Sequence, residues 1–413
     1  METYLVGGAV RDLYLGLTPK DLDYVVVNSS PAEMLQLGFT KVGGHFPVFL
    51  HPETKEEYAL ARTETSTGDS YHDFTVNSSN VTLEEDLLRR DLTINAIAYD
   101  NGEYIDPYGG INDIDNKVLR HVSEAFIEDP IRILRVARFH ARMGYEWTIH
   151  PSTIELCKQN VNKIKTVSAE RISIEFIKAF NEPHTELFLS FLSEIGAECV
   201  SVLTSMFDYE QSPIHHPEGN VGIHTLRAVK YAELVKDQVP EKMQSLLKWG
   251  VFLHDFGKPL AYETNNKKHY GKHEYLGKEV ITQWNETVRL PNSILNFGIL
   301  CSTKHTNIHN LFKLKPVTLY KLIDNVSLVE LQALLIVSAV DSASRYEGEV
   351  ATNNFINYVE TRAEYLMNSK KLLIESKRQF AKTALSSGKT GCKVGEYIRQ
   401  QQIQLLHQHK EKY

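Results

Sequence analysis

Two aspartates separated by one residue stand near the start of the chain, just before a run of apolar residues. Asp21 and Asp23 precede residues 24–27, and a strand that begins at Lys20 would place both carboxylates on one face. Such close carboxylates repel each other, and a bound divalent cation relieves the repulsion. The spacing favours two Mg²⁺ ions that deprotonate a hydroxyl and neutralise a triphosphate leaving group, over a plain polar turn. Glu57, in another apolar run, is a candidate third carboxylate.

A glycine pair, Gly7-Gly8, lies upstream of these aspartates between two apolar segments. Glycines let the backbone approach a phosphate closely, and the N-terminus of a following helix would offer free N–H groups. Arg11, one turn into that helix, could hold a phosphate oxygen. A tight turn is the simpler explanation of the glycine pair alone, but the aspartates that follow favour a phosphate site.

Two arginine-rich segments could bind the rest of a nucleotide. Arg89 and Arg90 could hold a triphosphate and Asn95 a ribose hydroxyl, although this segment alone could be a capped surface helix. The second segment predicts a helix with Asp129 as its N-cap and Pro130 in its first turn. Three arginines on one stripe of that helix, with no acidic residue between them, suit a polyphosphate better than a salt-bridged face. These arginines are Arg132, Arg135 and Arg138.

Histidines and aspartates in the second half of the chain have the types and order of a metal site. The four candidate ligands are His224, His254, Asp255 and Asp341, with His273 and His305 as additional histidines. A single His-Asp pair is common by chance, and a buried core histidine is the usual alternative. Four candidates in this order on predicted helices favour a metal site, and imidazole with carboxylate suits Ni²⁺, Co²⁺ or Mn²⁺.

The elements that must position these residues change character along the chain. The first 110 residues read as α/β, with strands predicted at 4–6, 24–27, 46–50 and 58–61. Residues 64–81 are mostly polar and are predicted to form a loop. After about residue 115 the apolar residues recur at helical spacing almost to the end, with a break near 210–222.

Composition limits the class of protein. With 413 residues, 42% of them apolar and 23% charged, the chain suits two or three globular domains. Four dispersed cysteines without a CxxC pair exclude a zinc ribbon and a disulfide scaffold and suggest a cytoplasmic protein. No apolar run approaches about 18 residues and the start lacks basic residues, so no membrane span or signal peptide is expected.

The charge is unevenly distributed. The net charge of −7 argues weakly against a nucleic-acid partner, yet residues 365–413 hold ten Lys or Arg against three Glu. A polyanion could therefore dock at that end, although a solvated helical face explains this charge alone more simply.

Four ordered segments resemble the motifs of bacterial tRNA nucleotidyltransferases, the CCA-adding enzymes, of the type with an appended HD domain. They are residues 5–12 (LVGGAVRD), 21–23 (DLD), 89–96 (RRDLTINA) and 128–132 (EDPIR). The resemblance implies an α+β fold, with a polymerase-β-like nucleotidyltransferase head followed by an all-α neck, body and tail containing an HD domain. The implied parts are the head at 1–110, the neck and body with a base-reading helix at 111–215, the HD domain at 222–345 and the basic helical tail at 346–413.

The resemblance also implies roles for single residues. Asp21 and Asp23 would hold catalytic Mg²⁺, while Asp129 and Arg132 would read the edge of the base. The residues that would contact or support the rest of the nucleotide are Gly8, Arg11, Arg90, Arg135 and Arg138. The HD metal ligands would be His224, His254, Asp255 and Asp341.

The implied activity is template-independent addition and repair of the 3′-terminal CCA of tRNA from CTP and ATP. The HD domain would add 2′,3′-cyclic phosphodiesterase, 2′-nucleotidase and phosphatase activities, and Asp255 could bridge two metals there. The family usually has Arg and Gly after its last aspartate, whereas here Ser342, Ala343, Ser344 and Arg345 follow. The expected partners are the tRNA 3′ end, CTP and ATP, with no membrane, and the expected assembly is a monomer or homodimer.

Base selection by a protein pair is chemically reasonable. Cytosine and adenine both present an exocyclic amine, from which Asp129 can accept, beside a ring acceptor to which Arg132 can donate. Uracil and guanine would place a carbonyl against the carboxylate and leave buried polar groups unpaired.

Three other functions remain open from the sequence. A bacterial poly(A) polymerase would share the head motifs, but its strongly basic extension is missing here and the HD set counts against it. A partial enzyme that adds only CC or only A would differ in the region 64–81. An RNA-binding or nucleotide-sensing protein with an inactive head would not need the intact carboxylates.

Overall fold

The computed structural model describes residues 1–42, 48–66, 74–77 and 80–411, with side chains left out at 64–66 and 74–77. Contacts divide the chain into two compact units, Met1–Val200 and Ser201–Tyr413. The four parts predicted from the sequence are a finer division than these two units and stay a prediction.

The N-terminal unit is built on a mixed sheet. Its strands are β1 (Glu2–Val6), β2 (Asp23–Val27), β3 (Thr40–Val42), β4 (Val48–Leu50), β5 (Glu57–Leu60), β6 (Thr63–Ser66), β7 (Phe74–Asn77), β8 (Ala98–Asp100) and β9 (Glu103–Ile105). Seven of them form one sheet in the order β3-β4-β5-β2-β1-β8-β9, while β6 and β7 pair separately. Strand β2 is antiparallel to β1 and parallel to β5, so it lies in the middle of the sheet.

Eight helices accompany these strands in the described part of the unit. They are α1 (Gly8–Tyr14), α2 (Pro31–Gln36), α3 (Leu83–Leu88), α4 (Gly110–Asp115), α5 (Ile131–Met143), α6 (Pro151–Asn160), α7 (Ala169–Phe180) and α8 (Thr185–Glu194). Two-residue strands β10 (Val118–Leu119) and β11 (Thr148–Ile149) pair in parallel between α4 and α6.

Strand β2 reads as an unbroken apolar run because both of its faces are buried. Val25 and Val27 belong to the same core cluster as Leu87 of α3, whereas Val26 packs in a second cluster with Met34 of α2. A strand covered on both faces does not need polar residues at alternate positions. Asp23, the first residue of β2, is therefore held on a rigid element.

The predicted strand at Lys20–Val27 is three residues too long. The ladder between β1 and β2 ends at the pair Val6 and Asp23, because Gly7 turns the chain with φ +73° immediately after β1. Both ladders of β2 in the described residues, to β1 and to β5, begin at Asp23, so Asp21 lies ahead of the strand.

The predicted loop at 64–81 is partly wrong. Strands β6 and β7 form an antiparallel ladder in which Thr63 faces Asn77 and Ser66 faces Phe74. Threonine and valine within this polar stretch favour extended backbone, a preference that hydropathy alone does not register. Residues 67–73, 78 and 79, like residues 46 and 47 of the predicted strand at 46–50, lie outside the described residues.

The C-terminal unit is helical throughout its described residues. Its helices are α9 (Ser201–Met206), α10 (Val221–Leu234), α11 (Glu241–Leu253), α12 (Lys258–Thr264), α13 (His273–Val288), α14 (Asn292–His309), α15 (Pro316–Ile323), α16 (Leu328–Ala343), α17 (Gly348–Ser386) and α18 (Cys392–Lys410). Helices α11, α14 and α16 pack on one another in its core. A Cβ at Gly298 of α14 would lie 2.3 Å from Leu253 Cδ1, so this glycine permits the close crossing that brings the end of α11 beside α14.

Among the described helices, none is by itself both long and apolar enough to cross a membrane. The pair Pro316–Ile323 and Leu328–Ala343 reaches that length and hydropathy only when its two helices are joined, and they are bent by 111°.

Candidate functional site

A cleft of about 550 Å³ opens in the N-terminal unit. Its lining includes eight of the nine nucleotide-site residues predicted from the sequence, namely Gly8, Arg11, Asp23, Arg90, Asp129, Arg132, Arg135 and Arg138. Nine arginines line the cleft against four carboxylates, so it attracts polyanions. Asp21 is absent from this lining, but its charge acts on Asp23.

The carboxylates beside the starts of β2 and β5, here called the carboxylate edge, suit a hard divalent cation, and Asp23 among them lines the cleft. Asp23 and Glu57 are direct neighbours at the starts of β2 and β5 and therefore point to the same face of the sheet. Partial desolvation raises the pKa of Asp23, with Arg90 opposing the rise and Asp21 adding to it. In the described residues these three carboxylates do not converge within 4.8 Å. The oxygen-only donor set fits Mg²⁺.

The glycine turn is required by its surroundings. Gly7 has φ +73°, and a Cβ there would lie 2.9 Å from Arg90 Nη1, so a larger residue would be strained and would displace that guanidinium. Arg11 in α1 is only 2% exposed and donates to Asn95 Oδ1 at 2.5 Å and Asp12 Oδ1 at 2.7 Å. Arg11 and Asn95 thus brace the wall of the cleft as well as lining it.

Buried carboxylates hold the arginines of the cleft in place. Asp91 accepts from Arg135 Nη2 at 2.6 Å and from Asn95 Nδ2 at 3.0 Å. Burial opposes ionisation of Asp91, but Arg135 and these hydrogen bonds hold its pKa well below its usual range. Asp86, fully buried, pairs with Arg89 at 2.6 Å and Arg90 at 3.3 Å.

The argument that the arginine stripe lacks acidic partners was wrong. Arg135 pairs with Asp91, and Arg138 Nε lies 2.7 Å from Glu175 Oε2 on α7. These carboxylates come from other elements, so spacing within the helix could not reveal them. The excess of arginines over carboxylates nevertheless leaves the cleft positive.

The predicted base-reading pair lies together at the start of α5. Arg132 N donates to Asp129 O at 3.0 Å, and both side chains line the cleft. The predicted N-cap role of Asp129 is wrong, because α5 begins at Ile131 with Pro130 in the cap position. The Asp129 carboxylate instead pairs with Arg171 at 2.8 Å, and its contact to the Ile131 amide is long, at 3.4 Å.

The four predicted HD ligands converge in the C-terminal unit. His224 lies on α10, Asp341 on α16, and His254 with Asp255 between α11 and α12. His224 Nε2 lies 3.1 Å from Asp341 Oδ1, and His254 Nε2 lies 3.1 Å from Asp255 Oδ2 and 4.0 Å from Asp341 Oδ2. All four side chains are buried.

The imidazoles are oriented as metal ligands usually are. His254 Nδ1 lies 2.5 Å from Val251 O, and His224 Nδ1 lies 2.6 Å from Glu218 Oε1. With Nδ1 as donor, Nε2 presents its lone pair to the centre. Among the described residues, the buried atoms His224 Nε2 and His254 Nε2 have no hydrogen-bond partner. Unsatisfied buried acceptors that lie close to carboxylates fit a metal ion.

A second group of ligand atoms shares Asp255. His273 Nε2 and His305 Nε2 lie 3.5 and 3.8 Å from Asp255 Oδ1 and 3.3 Å from each other. Burial lowers the pKa of His305 to about 3, so its imidazole is neutral, as a metal ligand must be. These three side chains and the group His224, His254 and Asp255 each gather ligand atoms within 4.8 Å.

Three polar residues contact this centre although the sequence analysis assigned them no role in it. His309 Nε2 lies 2.6 Å from Asp341 Oδ2, and Lys258 Nζ lies 2.6 Å from Asp255 Oδ2. Arg345 reaches Asp341 Oδ1 at 3.3 Å, although the residues directly after Asp341 depart from the family pattern. The spacing of four between His305 and His309 on one helix could have revealed His309.

Three family models match the chain in order. They describe a poly(A) polymerase head domain at residues 3–120, a probable RNA- and SrmB-binding site of polymerase A at 147–197, and an HD domain at 221–311. A multifunctional CCA protein of Acinetobacter baumannii is 38% identical over 100% of this chain and 98% of its own length. The chain belongs to the multifunctional CCA protein family. This confirms the family predicted from the sequence.

Another relative and a solved structure of lower sequence identity are also similar to this chain. The multifunctional CCA protein of Aliivibrio salmonicida is 43% identical over 84% of this chain and 86% of its own length. A Thermotoga maritima CCA-adding enzyme, solved as a complex with tRNA_CCA, has a TM-score of 0.58 at 20% identity, covering 99% of this chain and 90% of that one. The predicted α+β fold, with a polymerase head and an HD domain, is confirmed for this family member.

Glu57 offers a graded test of the carboxylate edge in this multifunctional CCA protein. Glu57→Gln is expected to lower kcat for nucleotide addition by about tenfold, because a neutral amide beside Asp23 weakens the attraction for a divalent cation. The measurement is kcat against Mg²⁺ concentration, with Glu53→Gln as control, since Glu53 is exposed and lies ahead of β5. An unchanged Mg²⁺ dependence would remove Glu57 from the site.

Proposed function

We propose that this chain adds and repairs the 3′-terminal CCA of tRNA, with CTP and ATP as substrates and no nucleic-acid template. The observation that carries the proposal is that Asp129 and Arg132, one helical turn apart, line the same cleft as Asp23. The names of its relatives, and the tRNA in the complex of the Thermotoga maritima enzyme, support the same substrate.

Different residues of the cleft would perform different parts of nucleotidyl transfer. Asp21 and Asp23 would hold Mg²⁺, which when bound supplies charge neutralisation and a more acidic 3′ hydroxyl. Arg11 and Arg90, fixed by buried partners, would bind the triphosphate beside Gly8 without reorganising. Arg135 and Arg138, at successive turns of α5, would support the bound nucleotide.

Asp129 and Arg132 would replace a template. The Asp129 carboxylate would accept from the exocyclic amine of cytosine or adenine, and the Arg132 guanidinium would donate to the adjacent ring nitrogen. A carbonyl in place of the amine would face an acceptor with no proton between them, which leaves both groups unpaired.

Asp129→Ala tests this template directly. We expect kcat/KM for CTP to fall about ten- to hundredfold, from the loss of one base-reading contact worth about 1–3 kcal/mol. UTP should lose less or gain, so the ratio of CTP to UTP use collapses. The measurement is kcat/KM for all four nucleotides, with the exposed Glu124→Ala as control. If the variant has a lower melting temperature but keeps the wild-type ratio of CTP to UTP use, the Asp129 carboxylate has a structural role and does not read the base.

The proposal for the C-terminal unit is phosphoester hydrolysis at a transition-metal centre. His224, His254, Asp255 and Asp341 would hold Ni²⁺, Co²⁺ or Mn²⁺, with Asp255 placed to reach a second ion between His273 and His305. Such an ion, when bound, supplies an activated water at neutral pH. One centre of this kind would serve 2′,3′-cyclic phosphodiesters, 2′-nucleotides and phosphate monoesters alike.

Sequencing of products tests the assignment as a whole. A tRNA lacking its 3′ CCA, offered CTP and ATP together and separately, should gain C, then C, then A. Addition of only CC or only A would favour a partial enzyme, and long runs of A would favour a poly(A) polymerase. The same preparation, analysed by sedimentation, distinguishes the predicted monomer from a homodimer, and cell fractionation tests the predicted cytoplasmic location.

A further inference from the structure

Arg171 contacts the carboxylate to which base reading is assigned. Arg171 Nη2 lies 2.8 Å from Asp129 Oδ2, although 42 residues separate them in the sequence. The two side chains are only 26% and 21% exposed, and both line the cleft. The contact is therefore part of the wall that a bound nucleotide would meet.

A second ion pair, one turn further along α7, fixes the helix that carries Arg171. Glu175, one turn after Arg171, accepts from Arg138 Nε at 2.7 Å and is itself buried. Two ion pairs thus connect α7 to α5 and the residues just before it. In one pair α7 supplies the cation, Arg171 to Asp129, and in the other it supplies the anion, Glu175 to Arg138. A guanidinium fixed in this way can hold a carboxylate in a single orientation.

The arrangement also gives the two base-reading side chains different partners. Carboxylate and guanidinium groups three residues apart attract each other, and a closed pair of Asp129 and Arg132 would offer less to a base. Here Asp129 Oδ2 contacts Arg171, while Arg132 Nη1 donates to Ala125 O at 2.9 Å.

We propose that Arg171 is a positioning residue that determines base specificity. It holds one oxygen of Asp129, so that the other oxygen, which makes a long 3.4 Å backbone contact among the described residues, is presented as an acceptor to the amine of cytosine or adenine. This inference rests on the proposed function of the cleft. Arg171 itself need not touch the nucleotide, because it acts through the carboxylate.

The test is equilibrium binding of CTP, UTP and tripolyphosphate to the full chain without tRNA. Arg171→Met is expected to lower the preference for CTP over UTP by about tenfold, since the carboxylate can then rotate away. Tripolyphosphate affinity should not change, because that ligand has no base. Arg171→Lys should restore part of the preference. Lys178→Met removes an exposed cation of the same helix, whose contact to Glu175 is 3.9 Å, and should leave the preference intact.

A double-mutant cycle shows whether Arg171 acts through Asp129. In the Asp129→Ala background, Arg171→Met should change the CTP to UTP ratio by less than about twofold. Equal losses for CTP and UTP, a loss of tripolyphosphate binding, or independent effects in the cycle would each overturn the proposal. Melting temperatures confirm that each variant is folded.

The outcome for the wild-type protein separates the two proposals. If it prefers CTP over UTP in binding but does not extend tRNA, the proposed function fails while the binding experiment still decides the role of Arg171. If it binds both nucleotides equally, the assignment of base reading and the inference about Arg171 both fail.

Discussion

Asp23→Asn is expected to reduce incorporation of CTP and ATP by about a thousandfold or more. The metal ions at such a site contribute several kcal/mol to the transition state, and each 1.36 kcal/mol corresponds to a tenfold change in rate. Asp21→Ala should have a comparable effect, because the two carboxylates act on the same ions. The measurement is single-turnover addition to a tRNA that lacks its CCA.

Two comparisons show whether this loss belongs to the chemical step. Binding of tRNA should remain within about twofold of wild type, because the carboxylates repel rather than attract the RNA backbone. Glu103→Gln removes an exposed carboxylate from the other end of the same sheet and should leave the rate intact. Near-normal incorporation by both Asp variants would exclude a metal site at this edge.

Loss of metal and of phosphohydrolase activity is expected from His254→Ala combined with Asp255→Ala. Both side chains belong to the group of converging ligand atoms, so the variant should bind less Ni²⁺, Co²⁺ or Mn²⁺ and hydrolyse 2′,3′-cyclic nucleotides at background rates. Addition of CCA should persist, since the cleft is built entirely within the other unit.

The design must guard against unfolding. Lys258 is only 7% exposed and pairs with Asp255 at 2.6 Å, so removing the carboxylate leaves a buried cation at a cost of about 3–5 kcal/mol. Asp255→Asn keeps the volume and a hydrogen-bonding oxygen, and provides a second, milder variant. The exposed His407→Gln serves as control. Wild-type protein that hydrolyses no cyclic nucleotide with any of these metals would disprove the HD assignment.

The sequence predicted the sites better than it predicted how they are supported. Asp21 and Asp23, or His254 and Asp255, are close in sequence, so simple spacing indicates their chemistry. The supporting charges Asp91 and Glu175 were not predicted, because their arginine partners are defined only when separate elements pack together. Asp86 was not predicted either, although its partners Arg89 and Arg90 are only three and four residues away and spacing could have revealed them. Arg171 is the extreme case, since its contact spans 42 residues.

Errors in the predicted elements have local causes. The start of β2 depends on where the neighbouring strand β1 ends, which the residues around Asp21 do not encode. Strands β6 and β7 are mostly polar, and the only apolar residues in them, Phe74 and Val76, are too few to mark a strand by hydropathy. Asp129 has the residue type of an N-cap, but its ion pair with Arg171 is a tertiary interaction that overrides this local preference.

Helix α17 is long enough to contact distant parts of the C-terminal unit. With 39 residues and 1.5 Å of rise per residue, this helix extends about 58 Å. Near its beginning Tyr358 contacts His309 Nδ1 at 2.8 Å, and His309 in turn contacts Asp341 at 2.6 Å. Further along, Lys370 and the residues around Leu373 support α15 and α18. A single continuous helix therefore links the packing of α15 and α18 to the hydrogen bond between Tyr358 and His309, and through His309 to Asp341.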